Sequence, residues 1–352
     1  MYEEFMGTMP VAKRQRFDLG ALESYLREHI DGFSGALAIA QFKGGQSNPT
    51  FKLSAGDQHY VLRTKPGPAA KLLSSAHAID REYKVMDALN KAGFPASKQY
   101  TLCTDESIIG RAFYVMEYVD GRVLWDQSLP GMRPDERAAY YDEMNRVIAQ
   151  LHTIDYAAIG LADYGKPGNY FGRQIDRWTR QYKASETEKI DAMDQLIEWL
   201  PKNIPPGDAT SIVHGDYRLD NMMFHPTEPR ILAVLDWELS TLGHPLADFS
   251  YHCMSWHIPQ GQFRGIGGLD LQSLGIPSEA EYIATYCERT GMTIRPEDFN
   301  FYLAYNMFRL AGILQGIMKR YVEGTASSAQ AQKSGQAARP MAEMGWRYAS
   351  QQ

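Results

Sequence analysis

The sequence has few cysteines, no long apolar run and no surplus of positive charge. Its three cysteines, Cys103, Cys253 and Cys287, are scattered and odd in number among 352 residues. They exclude a disulfide framework and a C-x-x-C metal site, and they point to a reducing, cytoplasmic location. Apolar runs such as Ala36–Ala40 fall far short of a membrane span, and the first 20 residues are too polar for a signal peptide. Lys and Arg total 36 against 42 Asp and Glu, a net charge of −6 with no long basic stretch. Neither nucleic acid nor a membrane is therefore expected as a partner. No internal repeat is visible, and a composition near the globular average excludes collagen, coiled coil and wholesale disorder. What remains is a soluble chain long enough for two domains or lobes.

The patterning divides that length unequally. Residues 1–20 are read as a loose arm, because their first 17 positions carry no apolar period. From Phe42 onward short strands alternate with tight turns. Lys43–Asn48 is a turn cluster, Thr50–Leu53 a strand, Gly56-Asp57 a turn and Tyr60–Arg63 a third strand. A helix follows, with Tyr83, Met86 and Leu89 on its apolar face and Gly93 and Pro95 stopping it. Alternation from Ile108 to Val119 ends at Asp120-Gly121, which marks the lobe boundary. The expected division is an N-lobe over 21–118 and a C-lobe over 119–352. In the C-lobe, Pro134 opens one helix, Ile190 to Leu200 mark another, and Ser278 with Glu281 form a capping box. Strands at Ser211–Val213 and Ile231–Leu235 interrupt the helices, and Phe299–Tyr321 is a long apolar helix. Residues 325–339, rich in Ala, Ser and Gln, are expected as a mobile loop or linker. The fold class expected is α+β, a small antiparallel-sheet lobe joined to a larger helical lobe, with a ligand cleft between them.

The strongest chemical signal is His214-Gly215-Asp216-Tyr217-Arg218-Leu219-Asp220-Asn221, directly after a strand. Val234-Leu235-Asp236-Trp237-Glu238 follows at the end of the next strand. Phosphoryl transfer from a Mg-nucleotide needs one carboxylate to orient and deprotonate an attacking hydroxyl. A hard Mg²⁺ needs oxygen ligands, here a carboxylate and an amide carbonyl, completed by phosphate and water. The competing reading is a polar hairpin loop that caps neighbouring helices.

With these residues the chain resembles the aminoglycoside phosphotransferase and choline kinase family of kinase-like enzymes, over most of residues 30–320. Gly243-His244-Pro245 followed by Asp248 fits the same family. The resemblance implies a bilobal protein-kinase-like fold and phosphorylation of a small molecule's hydroxyl, with ATP and Mg²⁺ as cofactors. It places Asp216 as catalytic base, Asn221 as a magnesium ligand and Asp236 as the main metal aspartate. Trp237-Glu238 departs from Phe-Gly but is close to the Asp-Phe-Glu of choline kinases, so Glu238 is a candidate outer or second-metal contact. Arg218 stands where protein kinases carry a lysine facing the transferred phosphate; the alternative is a solvent-facing arginine. His214 and Asp248 are read as supports of the loop rather than as ligands.

Upstream, Gly44–Asn48 sits where a nucleotide-covering hairpin belongs in that family, with Gly45, Ser47 and Asn48 toward the phosphates. A plain surface turn looks the same. Arg63 occupies the place of the phosphate-holding lysine, with Glu82 as its carboxylate partner and Lys65 as the fallback cation. Arginine and lysine are not interchangeable there, and an ordinary surface ion pair is the alternative. By resemblance alone, Glu117 and Val119 bracket an adenine-binding hinge.

For the acceptor, aminoglycoside sites need several carboxylates, whereas this chain offers Arg173, Arg177, Arg180 and Lys183 on one helix face. That face is either solvated surface or a seat for an anionic substrate tail. Tyr170, Phe171, Trp178, Tyr251 and Trp256 are candidate aromatic walls, or core. Details such as Tyr60-Val61-Leu62-Arg63 and Asp236-Trp237-Glu238-Leu239 look most like the phosphotransferase domains associated with acyl-CoA dehydrogenases. That branch implies a hydroxyacyl-CoA thioester or related hydroxy acid as acceptor. At 352 residues no dehydrogenase module fits beside the kinase-like fold, so a stand-alone version is expected. An aminoglycoside or amino-alcohol kinase remains the alternative, as does a catalytically weak nucleotide-binding regulatory module. Oligomeric state is not legible.

Overall fold

A computed structural model of the chain describes residues 7–43, 48–66, 78–326 and 330–351. The chain forms two compact units. One contains residues 1–125, 156–164 and 219–240; the other contains 126–155, 165–218 and 241–352.

The first unit is built on a six-stranded antiparallel sheet. Its strands are β1 (Thr8–Met9), β2 (Leu37–Phe42), β3 (Thr50–Ala55), β4 (Gln58–Thr64), β5 (Gln99–Cys103) and β6 (Phe113–Glu117), in the order β1-β2-β3-β4-β6-β5. The Gly56-Asp57 turn joins β3 to β4 in register, with Phe51 opposite Leu62 and Leu53 opposite Tyr60. Alternate residues of β3 point inward, so Phe51, Leu53 and Ala55 join Leu62, Phe113 and Val115 in one core. Helix α1 (Leu19–His29) covers this core with Leu22 and Leu26, and Asp18 caps its start by accepting from the Gly20 and Ala21 amides. Helix α2 (Ile79–Lys91) buries Val85, Met86 and Leu89. A second, three-stranded sheet joins β7 (Arg122–Val123), β9 (Met222–Phe224) and β10 (Ile231–Val234).

Two expectations for this region are corrected. The N-terminal arm is not loose over its described length. Thr8–Met9 pairs with Gln41–Phe42, Ala12 N–H donates to Gln41 Oε1 at 3.1 Å, and Arg111 donates to Gln15 Oε1 at 2.7 Å. The strand thought to begin at Phe42 begins at Leu37, because the small apolar run Leu37–Ala40 lacks the alternation that would have marked it.

The second unit is mainly helical. Helices α3 (Pro134–Thr153), α4 (Tyr170–Ser185), α5 (Asp191–Trp199), α6 (Pro245–Cys253), α7 (Leu271–Leu274), α8 (Glu279–Thr290) and α9 (Pro296–Val322) make most of it. β8 (Ser211–Val213) and β11 (Thr241–Gly243) pair as a two-stranded sheet within it. The capping box at Ser278–Glu281 forms as read. Of the stretch 325–339 expected as a loop or linker, residues 331–339 are instead helical: α10 (Ala331–Gln336) and α11 (Ala338–Ala349) continue the bundle. Ala331, Gly335 and Ala338 are its buried contacts, and a Cβ on Gly335 would stand 2.6 Å from Met318 Cβ. Close approach of small residues replaces the apolar stripe that sequence reading looks for. Among the described residues no helix is long and apolar enough to cross a membrane.

Gly121, in the dipeptide read as the lobe boundary, has a packing reason to be glycine. A Cβ there would lie 2.5 Å from Phe224 O and 2.7 Å from Met223 Cγ, where β7 meets β9. Gly121→Ala should destabilise the protein by ~1–3 kcal/mol through overpacking. A melting temperature equal to that of the parent would refute this.

Candidate active site

In the first unit the site is assembled around one buried arginine. Arg63, near the end of β4, places Nε 2.8 Å from Glu82 Oε2 on α2. Its Nη2 lies 3.1 Å from Asp236 Oδ1 and 3.5 Å from Glu238 Oε2. Glu82 is almost fully buried and also accepts from Asn48 Nδ2 at 2.8 Å and from the Tyr114 hydroxyl at 2.9 Å. Burial works against the charge on Arg63, yet Tyr114, Glu82, Asp236 and Glu238 outweigh it and hold its pKa above the ordinary value. Burial likewise pushes Glu82 up, against the pull of Arg63, Tyr114 and Asn48. The pair is therefore a buried ion pair and not a surface one, with its carboxylate hydrogen-bonded by Asn48 and Tyr114, and Arg63 rather than Lys65 holds Glu82.

Asp236 sits at the mouth of this network in the left-handed region, at φ 64° and ψ 64°. Asp and Asn tolerate that conformation better than most residues, and such strain gathers at functional sites. The following Trp237 locks the turn: it is buried, its Nε1 donates to Val234 O at 2.9 Å, and its ring meets Phe94 edge-on at 5.8 Å. Leu235 N–H donates to Asn221 O at 2.7 Å, so the backbones carrying Asn221 and Asp236 are directly bonded. Asn221, Asp236 and Glu238 supply only hard oxygen donors, the set that suits Mg²⁺. No group of three or more His, Cys, Asp or Glu among the described residues could hold a metal alone. Phosphate and water would have to complete the shell of any cation held there.

In the second unit the loop after β8 is held by a buried carboxylate. Asp248 accepts the His214 amide at 2.6 Å and the Gly215 amide at 2.9 Å, with His152 Nε2 at 3.4 Å. Burial would raise the Asp248 pKa, but His152, His214 and the loop amides outweigh it and keep it below the ordinary carboxylate value. His214 is fully buried and its Nδ1 accepts the Asp216 amide at 3.1 Å. Asp216 then projects between the Tyr251 hydroxyl, which donates to Oδ1 at 2.7 Å, and the Arg218 guanidinium, whose Nε lies 3.0 Å from Oδ2 in an ion pair. A carboxylate oriented at both oxygens can accept a proton from a hydroxyl with little reorganisation.

The other predicted residues fall as follows. Gly45 and Ser47 lie outside the described residues, and the buried Asn48 spends its amide on Glu82. The Glu117 amide donates to Lys98 O at 2.8 Å, and Val119 follows β6 in irregular backbone. Arg173, Arg177, Arg180 and Lys183 all lie on α4, but most are engaged. Arg173 caps the backbone carbonyls of Lys166 and Gly168, Arg180 pairs with Asp176 and Lys183 with Asp194. Phe171 and Trp256 are core. A cavity of about 580 Å³ beside α3, α7 and α8 is lined by none of the predicted residues. Sequence reading missed the roles of Tyr114, which binds Glu82, and of Arg309 on α9, which donates to Gly215 O at 2.6 Å. A lone charge within the apolar run Phe299–Met318 was the signal for Arg309.

The family model described as the phosphotransferase enzyme family matches residues 38–293. The chain belongs to that family. It is a small-molecule kinase. It is 47% identical over 349 residues to acyl-CoA dehydrogenase family member 10 of Mus musculus, covering 98% of this chain and 32% of that protein. The chain therefore spans about a third of that relative's length. A crystal structure from Ralstonia eutropha JMP134, provisionally named an aminoglycoside phosphotransferase, is 68% identical, with TM-score 0.89 over 95% of this chain and 98% of that one. Aminoglycoside phosphotransferase APH(4)-Ia, in ternary complex with ADP and hygromycin B, is 15% identical with TM-score 0.60, over 94% of this chain and 100% of that one; this likeness shows the fold alone. The resemblance read from the motifs, and the kinase-like α+β fold it implied, both hold.

Two outcomes follow from the geometry. Arg63→Ala, which strands the buried Glu82, should lower unfolding free energy by ~3–5 kcal/mol. Arg63→Lys keeps the charge and should lower it by less than half as much. Equal denaturant midpoints for the two variants would contradict the buried network. Secondly, burial pulls His244 and His252 down to about 4 from 6.5. Between those values the unfolded chain binds more protons, so stability held above pH 6.5 is lost as pH falls toward 4. The loss should reach ~3 kcal/mol per histidine, and urea midpoints that stay flat from pH 7 to pH 4.5 would rule it out.

Proposed function

We propose that this phosphotransferase moves the γ-phosphoryl group of ATP, with Mg²⁺, onto the hydroxyl of a hydroxyacyl-CoA or related hydroxy acid. The observation that carries the phosphotransfer chemistry is Asp216, a carboxylate fixed at one oxygen by Tyr251 and at the other by Arg218, beside the rigid His214–Gly215 backbone. Asp216 orients the acceptor hydroxyl and takes its proton as the oxygen attacks phosphorus. Arg218, bonded to that same carboxylate, carries positive charge next to the reacting oxygen. Asn221 and Asp236 would hold the metal and Glu238 would assist. When bound, the magnesium nucleotide supplies the phosphoryl group and offsets its charge. Arg63 keeps Asp236 and Glu82 in place, with one nitrogen toward each. The nucleotide assignment draws support from the ADP complex of APH(4)-Ia, and the acceptor class from the relative named for acyl-CoA dehydrogenase.

Arg63 in the usual lysine place favours, as a second reading, a nucleotide-binding module with weak catalysis. The two readings separate cleanly. Asp216→Asn should reduce ATP-dependent phosphorylation by roughly 10²–10⁴-fold while leaving nucleotide binding intact. Mass spectrometry of phosphorylated acceptors gives the rate and calorimetry the binding. Undiminished turnover in that variant would sink the first reading, and nucleotide binding with no phosphorylated product from any acceptor would establish the second.

A further inference from the structure

Arg309 lies midway along α9 and is the single charged residue between Phe299 and Met318. It is only 9% exposed. Its guanidinium lies 5.6 Å from the Trp178 ring centroid and 5.2 Å from that of Tyr251. Of its five N–H donors, one has a protein acceptor among the described residues, Gly215 O. Among those residues it has no carboxylate within ion-pair distance. Burying a cation without a paired anion is costly, and most buried arginines are matched as Arg63 is. Burial indeed works against this charge, while Tyr305, Tyr251, Tyr170 and Asp216 help to hold it. Tyr170 and the buried Tyr305 each feel the exposed Arg177 as well as Arg309. Tyr251 connects Arg309 to the catalytic carboxylate, since its hydroxyl donates to Asp216 and its ring lies against Arg309.

We propose that Arg309 is the anion-reading group of the acceptor site: it takes a carboxylate or phosphate oxygen of the acceptor while Asp216 addresses the hydroxyl. The proposal deepens the phosphotransfer reading and rests on it. A guanidinium with free N–H donors against two aromatic faces suits an oxyanion, and it repels an acceptor carrying ammonium groups. The oxyanion can come from a free hydroxy acid or from the phosphates of a CoA thioester.

Two acceptor pairs distinguish these sources. A 4-hydroxy acid is compared with its neutral amide, and its CoA thioester with the thioester of N-acetylcysteamine, which lacks phosphate. The parent enzyme should favour the anionic member of at least one pair in kcat/KM. Arg309→Met should erase that preference by about tenfold or more, mainly through KM, and Arg309→Lys should restore part of it. Equal losses for charged and neutral acceptors, or a preference unchanged in both pairs, overturn the proposal and leave Arg309 as a support for Gly215. A measurement without turnover guards against a variant that fails to fold. Titrating the parent protein with the free 4-hydroxy acid and with CoA should give a saturable tryptophan fluorescence change for one of them, which Trp178→Phe removes. No change with either ligand overturns the anion site. A saturable change with no phosphate transferred to any acceptor counts against the kinase reading instead, and leaves the anion site standing.

Discussion

One guanidinium organises the first unit. Arg63 is separated from Asp236 by 173 positions in the chain, and from Glu82 by an entire segment, yet its nitrogens touch both. Around that cation, β4, α2 and the turn at 236–238 acquire fixed places, with Tyr114 and Asn48 completing the hydrogen bonding of Glu82. An ion pair at the surface is worth little because water competes for both partners. Here burial removes the competitor, so the same pair becomes a positional constraint. Its net contribution to stability is small beside the loss incurred when one partner is removed alone.

The second unit solves the corresponding problem with the opposite charge. Asp248 is a buried anion whose acceptors are taken up by two backbone amides of the 214–215 loop and by His152. Gly215, at φ 84°, turns the chain in a way that other residues resist, and the carboxylate makes that turn the favoured one. Asp216 inherits its direction from this arrangement before Tyr251 or Arg218 touches it. In each unit, then, a buried charge that meets no substrate fixes the backbone from which a reactive or metal-binding carboxylate extends. Tyr251 and Arg309 extend the pattern outward, since one contacts Asp216 and the other the carbonyl beside it.

Legibility in the sequence followed how local each feature is. The run His214–Asn221 and the turn Asp236–Glu238 could be read because their chemistry is contiguous and follows recognisable strands. The Arg63–Glu82 pair could be proposed from position, but its burial could not, since Tyr114 and Asn48 come from other strands and loops. Helix α1 escaped notice because only Leu22 and Leu26 of its residues are buried, although Asp18 is a legible cap. Residues 331–338 were mistaken for a linker because Ala and Gly pack there by closeness rather than by apolar surface. The basic face of α4 was visible by spacing, yet Asp176 and Asp194, which neutralise part of it, show their effect only when folded.

The left-handed backbone at Asp236 has a consequence for what evolution and mutagenesis can try there. Glycine and asparagine accept that conformation, but neither carries a negative charge. Glutamate keeps the charge, but it lacks aspartate's short local hydrogen-bonding reach and places the carboxylate one methylene further out. Valine, isoleucine and threonine fail on both counts. Aspartate alone satisfies the dihedral and the charge together, so every single-residue step away from it forfeits one of the two. The position therefore has no near neighbour in sequence space through which drift could pass unnoticed.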